Sequence, residues 1–283
     1  MATFPTPEPI SVTIDVIMGD IRVSAGDRAD TVVEVRPADP VSAEDVRVAQ
    51  GTEVTYSRGR LVVKAPKPKG YRAGPVRGGG AIDVTIELPE GSAVLAASAW
   101  AAFHSEGRLG ECRIDTVNSD IQLDQTGKLR LVAVRGGITV GRVAGDAEIT
   151  NVSGEVRVAK VDGAAVIKNE HGDSTIGEVT GPLRISGTNG DFTVEQARGN
   201  VKAKTAHGSV RIDEITRGAV EITTAFGDIE LGIRKGTAAK LDVRTISGQI
   251  RNSLQDVDGP AQSDEIVEVR AETFNGDVVI RRS

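Results

Sequence analysis

The sequence predicts an all-β fold: a single β-solenoid of about 18 residues per coil, with two short strands and two glycine turns in each coil. Three observations predict it. Glycine returns every nine residues at Gly127, Gly136, Gly145, Gly154, Gly163, Gly172, Gly181, Gly190, Gly199 and Gly208, and Gly218, Gly227 and Gly236 continue the series after a one-residue slip. Between the glycines, apolar residues alternate with polar ones at period two, the pattern of a half-buried strand. No helical stretch separates these runs, so a βαβ sheet is excluded.

Glycines of the xG[DE] steps, such as Gly136, Gly154, Gly172, Gly190, Gly208 and Gly227, serve as an origin for the repeat, with Ser119 in the same place in one coil. Positions two and four residues later are apolar, for example Ile138 and Val140, or Val210 and Ile212. So are positions five and seven residues earlier, for example Ile149 and Ala147, or Ile185 and Leu183. Stacked coils place like residues above each other at about 4.8 Å, so these become four inward ladders. Each coil reverses direction twice, and glycine tolerates the positive φ such corners demand. Three residues before the origin runs a small, mostly polar series that includes Thr116, Asn151, Asn169, Thr205 and Thr224. Side chains of this kind can hydrogen-bond along a stack.

The elements follow in order. Val12, Ile14, Val16, Gly19, Ile21 and Val23 match the template and form a first coil. Residues 24–64 are less regular, with strands at 31–35 and 60–64 and one short helix at 42–50 capped by Ser42. A clean alternating strand covers 82–88 and ends at Pro89-Glu90-Gly91. Residues 1–91 therefore read as an N-terminal β region holding the first coil and a cap, since an open solenoid end exposes unpaired backbone. Residues 92–283 read as the repeat region. The apolar run 93–103 lies eighteen residues before the Ser119 unit and reads as a degenerate coil. Two insertions interrupt the pattern. The first, 66–80, is basic and rich in Pro and Gly, and reads as a surface loop or a tether for an acidic partner. The second, 253–265, is acidic and reads as a linker that lets the last strands, 266–283, dock as a final coil.

Composition narrows the function classes. A net charge of −6 argues against nucleic acid as a partner, and 3% aromatic residues leave no broad stacking platform. The N-terminus MATFPTPEPI has neither a basic nor an apolar signal region, and the longest apolar run is far short of the roughly 20 residues that span a bilayer. The expectation is a cytoplasmic protein without direct membrane insertion. Cys112 is the sole cysteine and falls on an inward ladder, so it reads as a small buried hydrophobe.

Candidate chemistry is sparse. Acidic residues follow many origin glycines, among them Asp120, Asp173, Asp191, Asp228 and Asp277. The nonapeptide calcium repeat needs GGxGxD, which is absent, so these read as Gly-Asp turns serving their own backbone. His171 and His207 lie two coils apart, about 10 Å, too far for one metal ion, and His104 has no clear companion. No GxSxG, HExxH, CxxC or P-loop motif occurs. The residue before the origin points outward at a corner. Trp100, His171, His207 and Phe226 are the aromatic members of that edge and form the candidate partner surface. No catalytic, metal or cofactor residues are assigned, and the small-molecule ligand stays open.

The strings SDIQL, SGEVRV, HGDSTI, NGDFTV, FGDIEL and NGDVVI, with VxG or xRG turns between them, resemble the DUF4097 β-strand repeat family of adhesin-like proteins. The opening PEPISVTIDVIMGDIRVSAGDRADTVVEVRPADP resembles its actinobacterial members in particular. The resemblance implies a right-handed type of β-solenoid with no established enzymatic activity, and some relatives are membrane-anchored. The expected function is a non-enzymatic scaffold or protein-interaction module. The alternatives are a self-assembling, bactofilin-like filament or oligomer and, less well supported, a carbohydrate-active β-helix enzyme.

Overall fold

The computed structural model describes residues 1–67, 79–254 and 265–283. Most of the basic loop 66–80 and of the excursion 253–265 lies outside the described residues. The chain is all-β apart from one helix, and it divides into two compact units, Met1–Ala144 and Gly145–Ser283.

The first unit contains β1 (Ala2–Pro5), β2 (Ser11–Gly26), β3 (Asp30–Pro37), α1 (Ala43–Gly51), β4 (Glu53–Ser57), β5 (Arg60–Lys64), β6 (Ile82–Pro89), β7 (Ala93–Arg108), β8 (Cys112–Asn118), β9 (Ile121–Thr126), β10 (Leu129–Arg135) and β11 (Ile138–Val143). The first coil, β2, stacks in parallel on β7 with Val12 on Val94, Ile14 on Ala96 and Ile21 on Phe103. The apolar run around Trp100 is thus a coil, as its register predicts. β7 pairs onward with β8 and β9, and these pair with β10 and β11. On its other side β2 pairs with β5 and β6. Residues that intervene in sequence between the first two coils are therefore folded outside them. Antiparallel strands cover this outer coil: β4 lies on β5, β3 on β6, and β1 on β3. Helix α1 starts where the sequence predicts, with the Ser42 hydroxyl accepting from the Asp45 N–H at 3.3 Å, and it rests against β3 and β6.

The second unit contains β12 (Ala147–Ser153), β13 (Val156–Val161), β14 (Ala165–His171), β15 (Ser174–Val179), β16 (Leu183–Ser186), β17 (Phe192–Ala197), β18 (Val201–Lys204), β19 (Val210–Ile215), β20 (Gly218–Phe226), β21 (Ile229–Ile233), β22 (Ala238–Ser247), β23 (Ile250–Asn252), β24 (Ile266–Asn275) and β25 (Val278–Arg282). Ala147 pairs with Ala165, Ala165 with Leu183, and Leu183 with Val201, each eighteen residues on. Val156, Ser174, Phe192 and Val210 pair likewise on the facing strands. The one-residue slip is absorbed: Val201 pairs with Val220, and a register shift between Ile212 and Ile215 restores the spacing.

At the far end of this unit the coils leave sequence order. β20 and β21 pair with β24 and β25, while β22 and β23 pair on the outer side of that final coil. The final coil does dock, but between its predecessors rather than after them. The ladders explain why. Val269, Ala271, Val278 and Ile280 fill all four inward positions and are fully or almost fully buried. The β22/β23 coil has Asn252 at the fourth, a residue that fits an end and not a core.

Buried positions match the four predicted ladders, including Cys112, Ile114, Ile121 and Leu123. A fifth ladder, seven residues after the origin, was not evident: Thr126, Val143, Val161, Val179 and Ala197 are all buried. The Thr/Asn series also turns inward. Asn169 donates to the Gly154 carbonyl at 3.0 Å, and Thr224 to that of Gly208 at 3.0 Å. Thr273 bonds Gly227 and Thr245 bonds Gly276, following the spatial order of coils rather than the order in sequence.

Candidate functional site

The outward corner of the second unit carries the candidate site. It is placed by the origin glycines, whose positive φ turns the preceding side chain away from the core. His171, Asn189, His207 and Phe226 form one column joined by parallel bridges, His171 to Asn189, Asn189 to His207 and His207 to Phe226. Asn189 Nδ2 lies 2.9 Å from His171 Nδ1. With Nδ2 as donor, Nδ1 is the acceptor and the His171 proton sits on Nε2. The His207 and Phe226 rings stack, with centroids 5.0 Å apart and planes 7° from parallel. Phe226 also meets Phe274, centroid to centroid at 6.2 Å. Phe226 and Phe274 are 47% and 53% exposed, large values for aromatic side chains.

Three of the four residues expected on this edge thus share a column, and Asn189 fills the gap between the two histidines. Trp100 belongs to the first unit, half-buried, with Met18 as its Cα partner in the neighbouring strand. Phe274 escaped the sequence reading because β24 docks out of order: Asn275, not Ser247, follows Phe226 in the column.

Other sequence expectations resolve at the same corner. The Gly-Asp steps do not serve their own backbone. At four of these steps the carboxylate accepts from the backbone N–H of the next coil: Asp173 from Asp191 at 2.9 Å, Asp191 from Ser209 at 2.7 Å, Asp228 from Asp277 at 2.8 Å and Asp277 from Gln249 at 2.9 Å. A tight corner leaves that N–H pointing along the stack, where the ladder of the adjacent coil supplies no carbonyl. His104 has a companion after all, with Nδ1 3.4 Å from Asp20 Oδ1. Among the described residues no three His, Cys, Asp or Glu side chains are grouped to hold a metal ion. Cys112 is buried, and desolvation pushes its thiol up to about 11, so it is inert as a nucleophile at neutral pH. No helix among the described residues is long and apolar enough to cross a membrane.

The chain covers 100% of itself and 95% of a protein named a "putative adhesin" from Parabacteroides merdae, at 12% identity and a TM-score of 0.46. A "putative adhesin" from Bacteroides fragilis aligns over 99% of this chain and 95% of its own at 11% identity and a TM-score of 0.35. A "putative lipid binding protein" from Parabacteroides distasonis aligns over 100% and 95% at 13% identity and a TM-score of 0.32. Likenesses this loose carry no functional argument. No curated protein matches the sequence. The family model described as Toastrack DUF4097 matches residues 10–214, which contain the first coil, the cap and most of the histidine column, and the chain belongs to that family.

Proposed function

We propose that the protein is a non-enzymatic β-solenoid scaffold that holds a protein partner on the corner column of its second unit. The observation that carries this reading is the run His171–Asn189–His207–Phe226 with Phe274 beside it, in which stacked, exposed aromatic rings follow a hydrogen-bonded polar step. Aromatic side chains on a rigid frame supply contact area at little entropic cost, and they dominate protein interfaces energetically. The column consists of His171, Asn189, His207 and Phe226 with Phe274 beside it and includes neither a carboxylate pair nor a nucleophilic hydroxyl or thiol, which favours surface recognition over turnover. In this sense the molecule is adhesin-like: it offers a fixed surface and no chemistry.

A photo-crosslinking side chain at position 226 tests the reading against the same side chain at exposed Val41. Capture of one protein from native cells at 226 but not at 41, lost at least about tenfold when His207→Ala/Phe274→Ala is added to the chain carrying the probe at 226, is the expected result. Cleavage of a polysaccharide by the purified chain, or equal capture at both positions, refutes it.

A further inference from the structure

Ion pairs between neighbouring coils recur on the outer faces of the second unit. Lys160 reaches Glu178 at 2.9 Å, Lys202 reaches Glu221 at 2.9 Å and Arg211 reaches Glu230 at 3.3 Å, each one coil on. The column Lys168–Ser186–Lys204 departs from that pattern. These residues pair in parallel register on β14, β16 and β18, each beside an inward residue, Ile167, Ile185 or Ala203, so their side chains share the outer face. The next members of the column are Thr150 and Thr223, so no carboxylate stands in line with either lysine. Both lysines are exposed, and among the described residues neither ammonium has an ion-pair or hydrogen-bond partner. The carboxylates nearby are engaged: Glu170 accepts from the Thr188 hydroxyl at 2.7 Å, and Glu221 is held by Lys202. Arg184, two residues before Ser186, is exposed on the same face and acts on Glu221 only through its charge.

We propose that this face binds a phosphate monoester, seated over Ser186 between Lys168 and Lys204. Elsewhere on the unit a carboxylate one coil away supplies the counter-charge; here the ligand supplies it. The two lysines lie about 10 Å apart at Cα with Ser186 midway, a gap that their four-carbon stems close from opposite sides. The Ser186 hydroxyl donates from beneath, and Arg184 adds charge from the adjoining column. Three donors suit the three free oxygens of a phosphate ester, whereas a carboxylate offers two. The ester's charge of about −1.5 to −2 balances the two unpaired ammoniums, which the single charge of a phosphodiester does not. With a net charge of −6 the chain as a whole repels anions, so binding rests on these groups. The site shares no residue with the corner column, so either reading can fail alone.

Titration of the isotope-labelled full chain with inorganic phosphate at low salt, read from the amide shifts of 168, 186 and 204, tests the proposal. The expected result is saturable binding with a dissociation constant of about 1 mM. Lys168→Ala/Lys204→Ala is expected to weaken it at least about tenfold and Ser186→Ala about threefold. Arg234→Ala/Lys235→Ala removes the same charge from another exposed place and is expected to stay within about twofold. All these side chains lie at the surface, and the dispersion of the same spectra verifies that the variants fold. Phosphoserine and vesicles containing phosphatidic acid separate a soluble ester from a lipid headgroup; binding of either, with the same losses, supports the site. Failure of the wild-type chain to saturate by about 50 mM phosphate overturns the proposal. So does acetate binding as tightly as phosphate, or equal losses in the two double variants.

Discussion

Replacing Gly190 by alanine isolates what the nine-residue glycine does. Gly190 has φ +141°, and a Cβ there would lie 2.2 Å from the Gly172 carbonyl oxygen in the adjacent coil. Bringing that contact to 3.0 Å opens the corner by 0.8 Å. Two hydrogen bonds cross the same gap, Asp191 N to Asp173 Oδ1 and Gly172 N to Asn189 O, both 2.9 Å. Stretched by that amount they exceed hydrogen-bonding range, at about 0.5–1.5 kcal/mol each. The backbone strain adds about 1–3 kcal/mol, so the total is about 2–6 kcal/mol, a large part of a domain's stability. Two controls separate the contributions. Gly59 has φ +74° with nothing within 4 Å of its Cβ direction, so Gly59→Ala carries backbone strain alone, about 1–2 kcal/mol. Gly26 has no such φ and equally open space, so Gly26→Ala stays within about 0.5 kcal/mol. Urea unfolding followed by circular dichroism gives the three values. If Gly190→Ala loses no more than Gly59→Ala, the close approach of coils is not what demands glycine, and the reasoning fails.

Two further outcomes follow from buried and paired groups. Cys112, buried and with its thiol pushed up to about 11, is expected to resist a thiol reagent at pH 8 in the native protein and to react at once in denaturant; rapid native labelling contradicts its place in the core. Glu178 is held below its ordinary value of 4.5, chiefly by the hydrogen bond from Lys160 at 2.9 Å and then by the charge of Arg198. A depressed carboxylate stabilises the fold fully above its unfolded value and loses that contribution as pH falls through the folded one. Glu178→Gln is therefore expected to flatten the stability–pH curve below about pH 4.5 and to leave its slope near pH 7 unchanged, the effect being small for so exposed a pair. A steeper acid slope in the variant would contradict the assignment.

The repeat was legible because one coil cannot bury its own apolar face. The period of the glycines and the alternation at Ile149, Ala147, Val156 and Val158 follow directly from stacking. The Ser42 cap was legible because its chemistry is local. What escaped is whatever depends on which coil lies next to which. The four ladders are chemically alike in every coil, so they do not say that β5 and β6 lie outside β2, or that β24 and β25 lie inside β22 and β23. Phe274 was lost to the candidate site for that reason. The Asp173–Asp191 series was misread for another: a Gly-Asp step alone does not reveal whether its carboxylate bonds within its own turn or to the neighbouring coil. The fifth ladder was hidden because its small members, Thr126 and Ala197, carry little pattern.

The displaced last coil also bears on how the chain is made. Synthesis runs from the N-terminus, so β22 and β23 leave the ribosome while the edge of β20 and β21 is still vacant. Leu241 and Val243 occupy the same ladder positions as Val269 and Ala271, so the earlier coil matches the seat that the later one takes at these positions and departs from it at Asn252. Two segments of one chain then suit one seat. In the folded chain the later segment holds it, with apolar residues at all four inward positions, and the coil that carries Asn252 lies outside it. Truncation ahead of β24 would do more than trim an end, because it would leave that seat vacant beside a coil whose Leu241 and Val243 match its ladders.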